Sequence, residues 1–188
     1  MKTWISIVRG INVGGRNAIK MIDLRDLFIQ LGFSDVRSYI QSGNIIFDSN
    51  LIDSKSIEKS ISEGILKRFG FAVQIVLLDE ETLREILKNN PFSHDSFRDK
   101  ACMHITFLSE NPDKSLIDKI IDGNYGSDEF YCKNKVIYLY CPKGYGNTKL
   151  SNSFFENKLK LTATTRNLKT ATEILLMSDT KSGSHSLQ

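Results

Sequence analysis

The chain has no apolar run approaching the roughly 18 residues that a membrane-spanning helix needs, so a helical membrane protein is excluded. It has only three cysteines, widely spaced at positions 102, 132 and 141. An odd, scattered set argues against a disulfide framework and for a reducing, cytoplasmic setting. Three histidines, at 94, 104 and 185, leave little room for imidazole chemistry. No Ser/His/Asp order stands out, so a nucleophilic triad is not supported. Cys102 and His104 share a strand face at i, i+2, and Cys132 and Cys141 flank a hairpin. None of these has zinc-type spacing, so no metal is expected, and buried thiols are the plainer reading. The start, MKTWISIVRG, lacks a small-residue cleavage site before Arg9 and reads as a strand, not a signal peptide.

What is present is an ordinary globular mixture, 40% hydrophobic and 25% charged, over 188 residues. That is enough for one large domain or two small ones. The net charge of +3 is too small to imply nucleic acid. Its distribution is uneven. Residues 130–173 carry seven Lys and one Arg against two Glu, a balance of +6, so the rest of the chain sums to −3. A basic half is a hint of an anionic partner, or simply a lysine-rich wet surface.

Strand-like WISIV leads into RGINVGGRN. MIDLRDLFIQLG follows, with Leu24, Leu27, Phe28 and Leu31 at helical spacing and a stop at Gly32. VRSYI (36–40) and NIIFD (44–48) are joined by three residues, which only a hairpin allows. Ile57, Ile61 and Ile65 mark a helix ending at Gly70, and FAVQIVLL (71–78) reads as a fourth strand. Strand, helix, strand, strand, helix, strand is the ferredoxin-like split βαβ pattern. A connecting helix, DEETLREILKNNP, follows, and the order then repeats. ACMHITFL is a strand, Asn111 caps a helix opened by Pro112, and DEFYC with KVIYLYC forms a hairpin around Lys133 and Asn134. A helix is expected near 149–160, a short strand at LTAT, and a last helix over 166–177. The expected fold is α/β, of α+β type, with two ferredoxin-like halves packed together. Their bounds are 1–78 and 101–177, with a connecting helix and linker over 79–100 and a polar tail over 178–188.

RGINVGGRN (9–17), LRDLFIQLGF, VRSYIQSGNIIF, TKL and TATTRNLKTATEI together resemble the bacterial family catalogued as domain of unknown function 1697. The likeness covers about residues 3–177, and RGINVGG and YIQSGN are its most specific parts. It implies a two-lobed protein of ferredoxin-like halves and no established activity. The loop here ends GGRN, where the family more often has Lys after the second Gly. The charge is kept, but a point becomes a fork.

Four stretches could meet an anion. In RGINVGGRN, glycines let amides converge without Cβ obstruction, and Arg9 and Arg16 add charged donors. The candidates there are Arg9, Gly10, Asn12, Gly14, Gly15, Arg16 and Asn17. The spacing is close to the phosphate loop G-x-x-x-x-G-K-[ST]. Asn17, however, cannot replace the hydroxyl that holds magnesium, and the helix begins only after Lys20. QSGN offers Gln41, Ser42 and Asn44, although these also suit a plain turn around Gly43. The loop after strand one and this hairpin are expected at opposite sheet ends, to be bridged only by the second half. KGYGNTKL and TTRN each read as a helix start, with Lys149 and Arg166 in the first turn, Thr165 as a cap and Asn167 beside it.

The function expected is that of a soluble module binding a small anionic or phosphorylated ligand at 9–17, with Lys149 and Arg166 completing the pocket. No general base stands out, so whether it is an enzyme, and with what cofactor or oligomeric state, stays open. The alternatives are nucleic-acid binding through 130–173 or a protein-interaction module. For RNA, the RNP1 pattern is absent, but Tyr131, Tyr138 and Tyr140 on the lysine-rich hairpin could stack bases.

Overall fold

Five consecutive residues, Trp4 to Val8, are buried. This is why the first strand, β1 (Lys2–Val8), sits inside its sheet with both faces covered. The structure, a computed structural model, describes residues 1–15 and 17–180. Arg16 and the tail from residue 181, including His185, lie outside the described residues. The chain divides into two compact units, one of Met1–Arg84 with the chain from Glu173 onward, the other of Glu85–Thr172.

In the first unit β1 is followed by α1 (Met21–Gln30), β2 (Ser34–Tyr39), β3 (Asn44–Ser49), α2 (Ser54–Phe69), β4 (Ile75–Asp79) and α3 (Glu80–Lys88), which runs into the second unit. The sheet order is β2-β3-β1-β4, all antiparallel neighbours, with Ile7 opposite Asn44 and Val8 opposite Ile75. Helices α1 and α2 bury Leu24, Leu27, Phe28, Ile57, Ile61 and Ile65 against the face of Trp4, Val8, Ile45 and Phe47. Phe47 is the hub. Its ring lies 5.2 Å from Phe28 and 4.5 Å from Phe33. Asp53 starts α2 by accepting from the Ser56 hydroxyl and from the Ser56 amide, the latter at 3.0 Å, and those two bonds lower its carboxyl below the usual range. Gly70 ends the helix in the left-handed region. The fourth strand is shorter than the 71–78 expected. Only Ile75 onward finds β1 partners, and the Arg9 amide closes the ladder on the Gln74 carbonyl at 2.9 Å.

The second unit repeats the order with β5 (Met103–Leu108), α4 (Lys114–Ile121), β6 (Glu129–Lys133), β7 (Val136–Tyr140), α5 (Asn152–Leu159), β8 (Ala163–Asn167) and α6 (Leu168–Asp179), which continues into the first unit. Its sheet runs β6-β7-β5-β8. Each unit is a ferredoxin-like βαββαβ arrangement, and neither sheet closes into a barrel. Leu108, Ile137, Leu139, Phe155 and Leu159 form a second core. An edge-to-face chain of Tyr125, Phe130, Phe154 and Phe155 extends it.

Three local expectations are corrected here. Asp113, not Asn111, caps α4, because its carboxylate reaches the Ser115 amide at 2.8 Å. Ser151 caps α5, so Lys149 precedes the helix and does not oppose its dipole. TTRN is strand, not helix start. Its residues complete β8 opposite β5, with Thr165 facing Thr106 and Asn167 facing His104. Thr165 caps nothing. Its hydroxyl lies 2.7 Å from that of Thr106, donates to Asn152 Oδ1 at 2.6 Å and accepts from the Tyr145 hydroxyl at 3.1 Å. Asn167 takes the cap of α6, accepting from the Thr170 amide at 2.7 Å.

His104 on β5 stacks on Tyr145 with ring centroids 5.0 Å apart, and its Nδ1 lies 3.2 Å from the Cys102 carbonyl. Burial holds its pKa below the ordinary imidazole value. A depressed folded-state pKa means that the unfolded chain takes up the proton first. The His104 contribution is therefore intact above about pH 6.5, the ordinary value, and is lost as pH falls from there through the folded-state pKa. Urea midpoints measured between pH 7.5 and 5 should fall on acidification, and His104→Gln should flatten part of that fall. An unchanged slope in the variant would contradict the assignment.

Candidate functional site

The loop after β1 begins between two backbone anchors. The Val8 amide donates to the Gly43 carbonyl and the Arg9 amide to the Gln74 carbonyl, both at 2.9 Å. The loop and the β2–β3 hairpin therefore share one end of the sheet, which corrects the expectation that they lie at opposite ends. The reason is topological. β1 and β2 run the same way with β3 antiparallel between them, so the exit of β1 meets the turn that enters β3. The contact is tight. Gly43 has φ +74, and a Cβ there would lie 2.8 Å from Ile11 Cδ1 and 3.0 Å from Val8 Cβ.

Within the loop, Ile11 is buried and acts as the apolar anchor. Asn12 then holds the rest. Its Nδ2 donates to the Ile19 carbonyl at 2.9 Å and to the Gln41 carbonyl at 2.8 Å, and its Oδ1 accepts from the Ile19 amide at 2.8 Å. Its backbone amide donates to the Asn17 carbonyl at 3.2 Å, and Asn17 Nδ2 returns to the Gly10 carbonyl at 3.1 Å. These bonds close a miniature hairpin. Its two central residues, Gly14 (φ +58) and Gly15 (φ +74), both lie in the left-handed region, as a type I′ turn requires. That demand explains the pair of glycines locally. Both are exposed, and a Cβ on either would meet nothing within 4 Å. Among the described residues, the amides of Gly10, Gly14 and Gly15 donate to no protein acceptor.

The hairpin beside it carries a strained residue. Ile40 is β-branched, half exposed, and has φ +49. Such a conformation costs on the order of 1–3 kcal/mol and persists only where the surroundings impose it. Asn44 is fully buried, and its Nδ2 donates to the Tyr39 carbonyl at 3.2 Å and to Ser42 Oγ at 2.9 Å.

The sequence candidates thus separate. Arg9, Gly10, Gly14, Gly15, Gln41 and Ser42 lie at one end of the first unit, in or beside the exposed loop. Asn12, Asn17 and Asn44 are there too, but their amide groups bond to the protein and shape the loop. Arg16 is outside the described residues. Lys149, Arg166 and Asn167 belong to the second unit. Lys149 is exposed ahead of α5. Arg166 lies on β8, with Nη1 donating to the Thr165 carbonyl at 2.9 Å and to Thr164 Oγ1 at 3.2 Å. It is only partly exposed, and loss of water around its guanidinium lowers the pKa to about 10, still protonated at neutral pH. The residues not singled out from sequence are Ile11 and Ile19. An isolated Ile inside a polar loop is the signal that could have identified the first as an anchor.

Of the second hairpin's tyrosines, Tyr131 is half exposed and stacks on Tyr138 with ring centroids 6.5 Å apart, while the other two are covered. Tyr138 is 2% exposed, its hydroxyl donating to the Ile86 carbonyl at 3.1 Å, and the Arg98 guanidinium covers Tyr140 at 4.6 Å. Among the described residues no helix is long and apolar enough to cross a membrane.

Comparison with known proteins adds a family. The family model described as protein of unknown function (DUF1697) matches residues 1–138, a stretch that includes the loop and its hairpin but not Lys149, Arg166 or Asn167. Among solved structures, the conserved bacterial protein SP0830 from Streptococcus pneumoniae is 27% identical, with a TM-score of 0.71 over 94% of this chain and 98% of that one. No curated protein sequence matches the chain. Sequence, fold and the shared loop segment together place this chain in the DUF1697 family of proteins of unknown function.

Proposed function

We propose that the chain binds a small anionic group, such as a phosphate, at the tip of loop 9–17. The observation that carries this reading is the pair of exposed, left-handed glycines, 14 and 15, presented by the Asn12 clasp with open space around them. Successive amides in such a turn give an anion fixed partial positive charge, and adjacent guanidinium groups neutralise it. Arg9 flanks the loop on one side, and Arg16 follows the glycines in sequence. Gln41 and Ser42 stand at the same sheet end and add polar contacts. The strained Ile40 marks the same region as one whose geometry is imposed.

A second reading is binding of a nucleic-acid backbone by the second unit. Lys133, Lys135, Lys143, Lys149, Lys158 and Lys160 are all exposed, and none forms an ion pair among the described residues. The burial of Tyr138 argues against its stacking a base, which leaves phosphate contact and the half-exposed ring of Tyr131.

A thermal-shift titration with inorganic phosphate, pyrophosphate and a single-stranded oligonucleotide separates the two. Phosphate or pyrophosphate should raise Tm in the parent chain as ligand binding to the folded state does. The Arg9→Ala/Arg16→Ala variant should weaken binding about tenfold or more, the worth of a charge-assisted bond. Stabilisation by the oligonucleotide alone, lost in Lys133→Ala/Lys135→Ala and steeply salt-dependent, would favour the second reading and overturn the first.

A further inference from the structure

We infer that Cys102 and Cys141 form a reversible cross-strand disulfide when a hydroperoxide oxidises the protein. The β5–β7 ladder pairs Met103 with Tyr140, and one step further the Cys141 amide donates to the Cys102 carbonyl at 2.9 Å. The two cysteines are thus opposite each other. Cys141 lies on the sheet face of Leu139 and Ile137, inside the second core. Cys102 immediately precedes β5, across from Cys141, and its thiol is near enough to add to the rise in the Cys141 pKa that burial causes. The Cys102 thiol reaches the carbonyl of Pro142, the residue after Cys141, at 3.8 Å.

Opposed residues at such a position have Cα atoms about 5.5 Å apart, within the roughly 4.4–6.8 Å that a disulfide spans. Their Cβ atoms, at about 4.5–5.5 Å, must close slightly to reach the bonded range of about 3.5–4.5 Å. Cys102 can supply that movement, because it ends a short 3-10 turn, Lys100–Cys102, outside the strand proper. The residual strain makes the bond easy to reduce.

The two thiols differ in access. Cys102 is partly exposed and Cys141 is buried, with burial pushing its pKa up to about 11. Cys102 is therefore the sulfur that meets the oxidant. Its thiolate attacks the peroxide oxygen, the O–O bond breaks, an alcohol or water leaves, and Cys102 becomes a sulfenic acid. The Cys141 sulfur then attacks the Cys102 sulfur and water leaves, so two thiols and one hydroperoxide give one disulfide, one alcohol and one water. Cys132 is excluded by distance. It pairs with Ile137, four residues along β7 from Cys141, or roughly 13 Å at strand rise.

The test is hydrogen peroxide treatment of the full chain, followed by alkylation and non-reducing peptide mass mapping. The expected result is loss of two hydrogens from the intact mass, a joined Cys102–Cys141 peptide pair, an alkylated Cys132, and full reversal by dithiothreitol. In Cys141→Ser, Cys102 should stop at a sulfenic acid that dimedone traps. In Cys102→Ser, no disulfide should form on the same timescale. Progression of Cys102 to sulfinic acid in the parent chain without a linked peptide, or linkage through Cys132, overturns the inference.

Discussion

Asn12→Ala is expected to cost about 3 kcal/mol, read as a fall in Tm of roughly 6–12 °C at the 2–4 °C per kcal/mol usual for a chain of this size. Three side-chain hydrogen bonds disappear at once, to the Ile19 amide and carbonyl and the Gln41 carbonyl. Each is worth about 1 kcal/mol net. The Ile19 backbone groups lose their partner next to a side chain that is 4% exposed. Asn12 also has φ +55, which Asn tolerates and Ala resists. Asn12→Asp should be intermediate, since it keeps the acceptor and loses both donors. Anion affinity at Gly14 and Gly15 should fall with stability, because the clasp sets their position. A loss below about 1 kcal/mol would mean that Asn12 is not the clasp.

Phe47→Ala is expected to cost about 3–5 kcal/mol, the range for emptying a buried aromatic site. Phe47 is 0% exposed, and its ring packs on those of Phe28 and Phe33. It sits on a central strand, where the surrounding backbone cannot collapse into the gap. The control is Phe97→Ala. Phe97 is 97% exposed, so its loss should lie within about 0.5 kcal/mol of zero. Urea unfolding followed by tryptophan fluorescence reports the first variant well, since Trp4 pairs with Phe47 across the strands. Equal effects from the two substitutions would contradict the assignment of the core.

The elements that local pattern specifies were legible in the sequence. Leu24, Leu27 and Phe28 fall on one helix face, Gly70 ends α2, and three residues between two strands allow only a hairpin. The ferredoxin-like order followed from these. What was not legible depends on pairing between distant segments. TTRN has the look of a capped helix start, yet Thr165 and Arg166 are strand because β5 lies alongside them. The spacing puts Lys149 at a helix start, but Ser151 takes the cap. The candidate site shows the same division. The need for positive φ at Gly14 and Gly15 is local and was readable. That Asn12 and Asn44 bond inward was not, since an Asn in a polar loop serves a ligand or its own backbone equally well. The expectation that QSGN and the first loop lie at opposite sheet ends failed for want of strand direction, which the order of strands in a split βαβ sheet supplies.

The most direct test of the anion-binding loop is an amide-resolved NMR titration of the isotope-labelled chain with inorganic phosphate. The account predicts saturable shifts at the Gly14 and Gly15 amides, with those of β1 and β3 unmoved. Saturable shifts elsewhere with Gly14 and Gly15 unmoved, or no saturable shift at all, would contradict it.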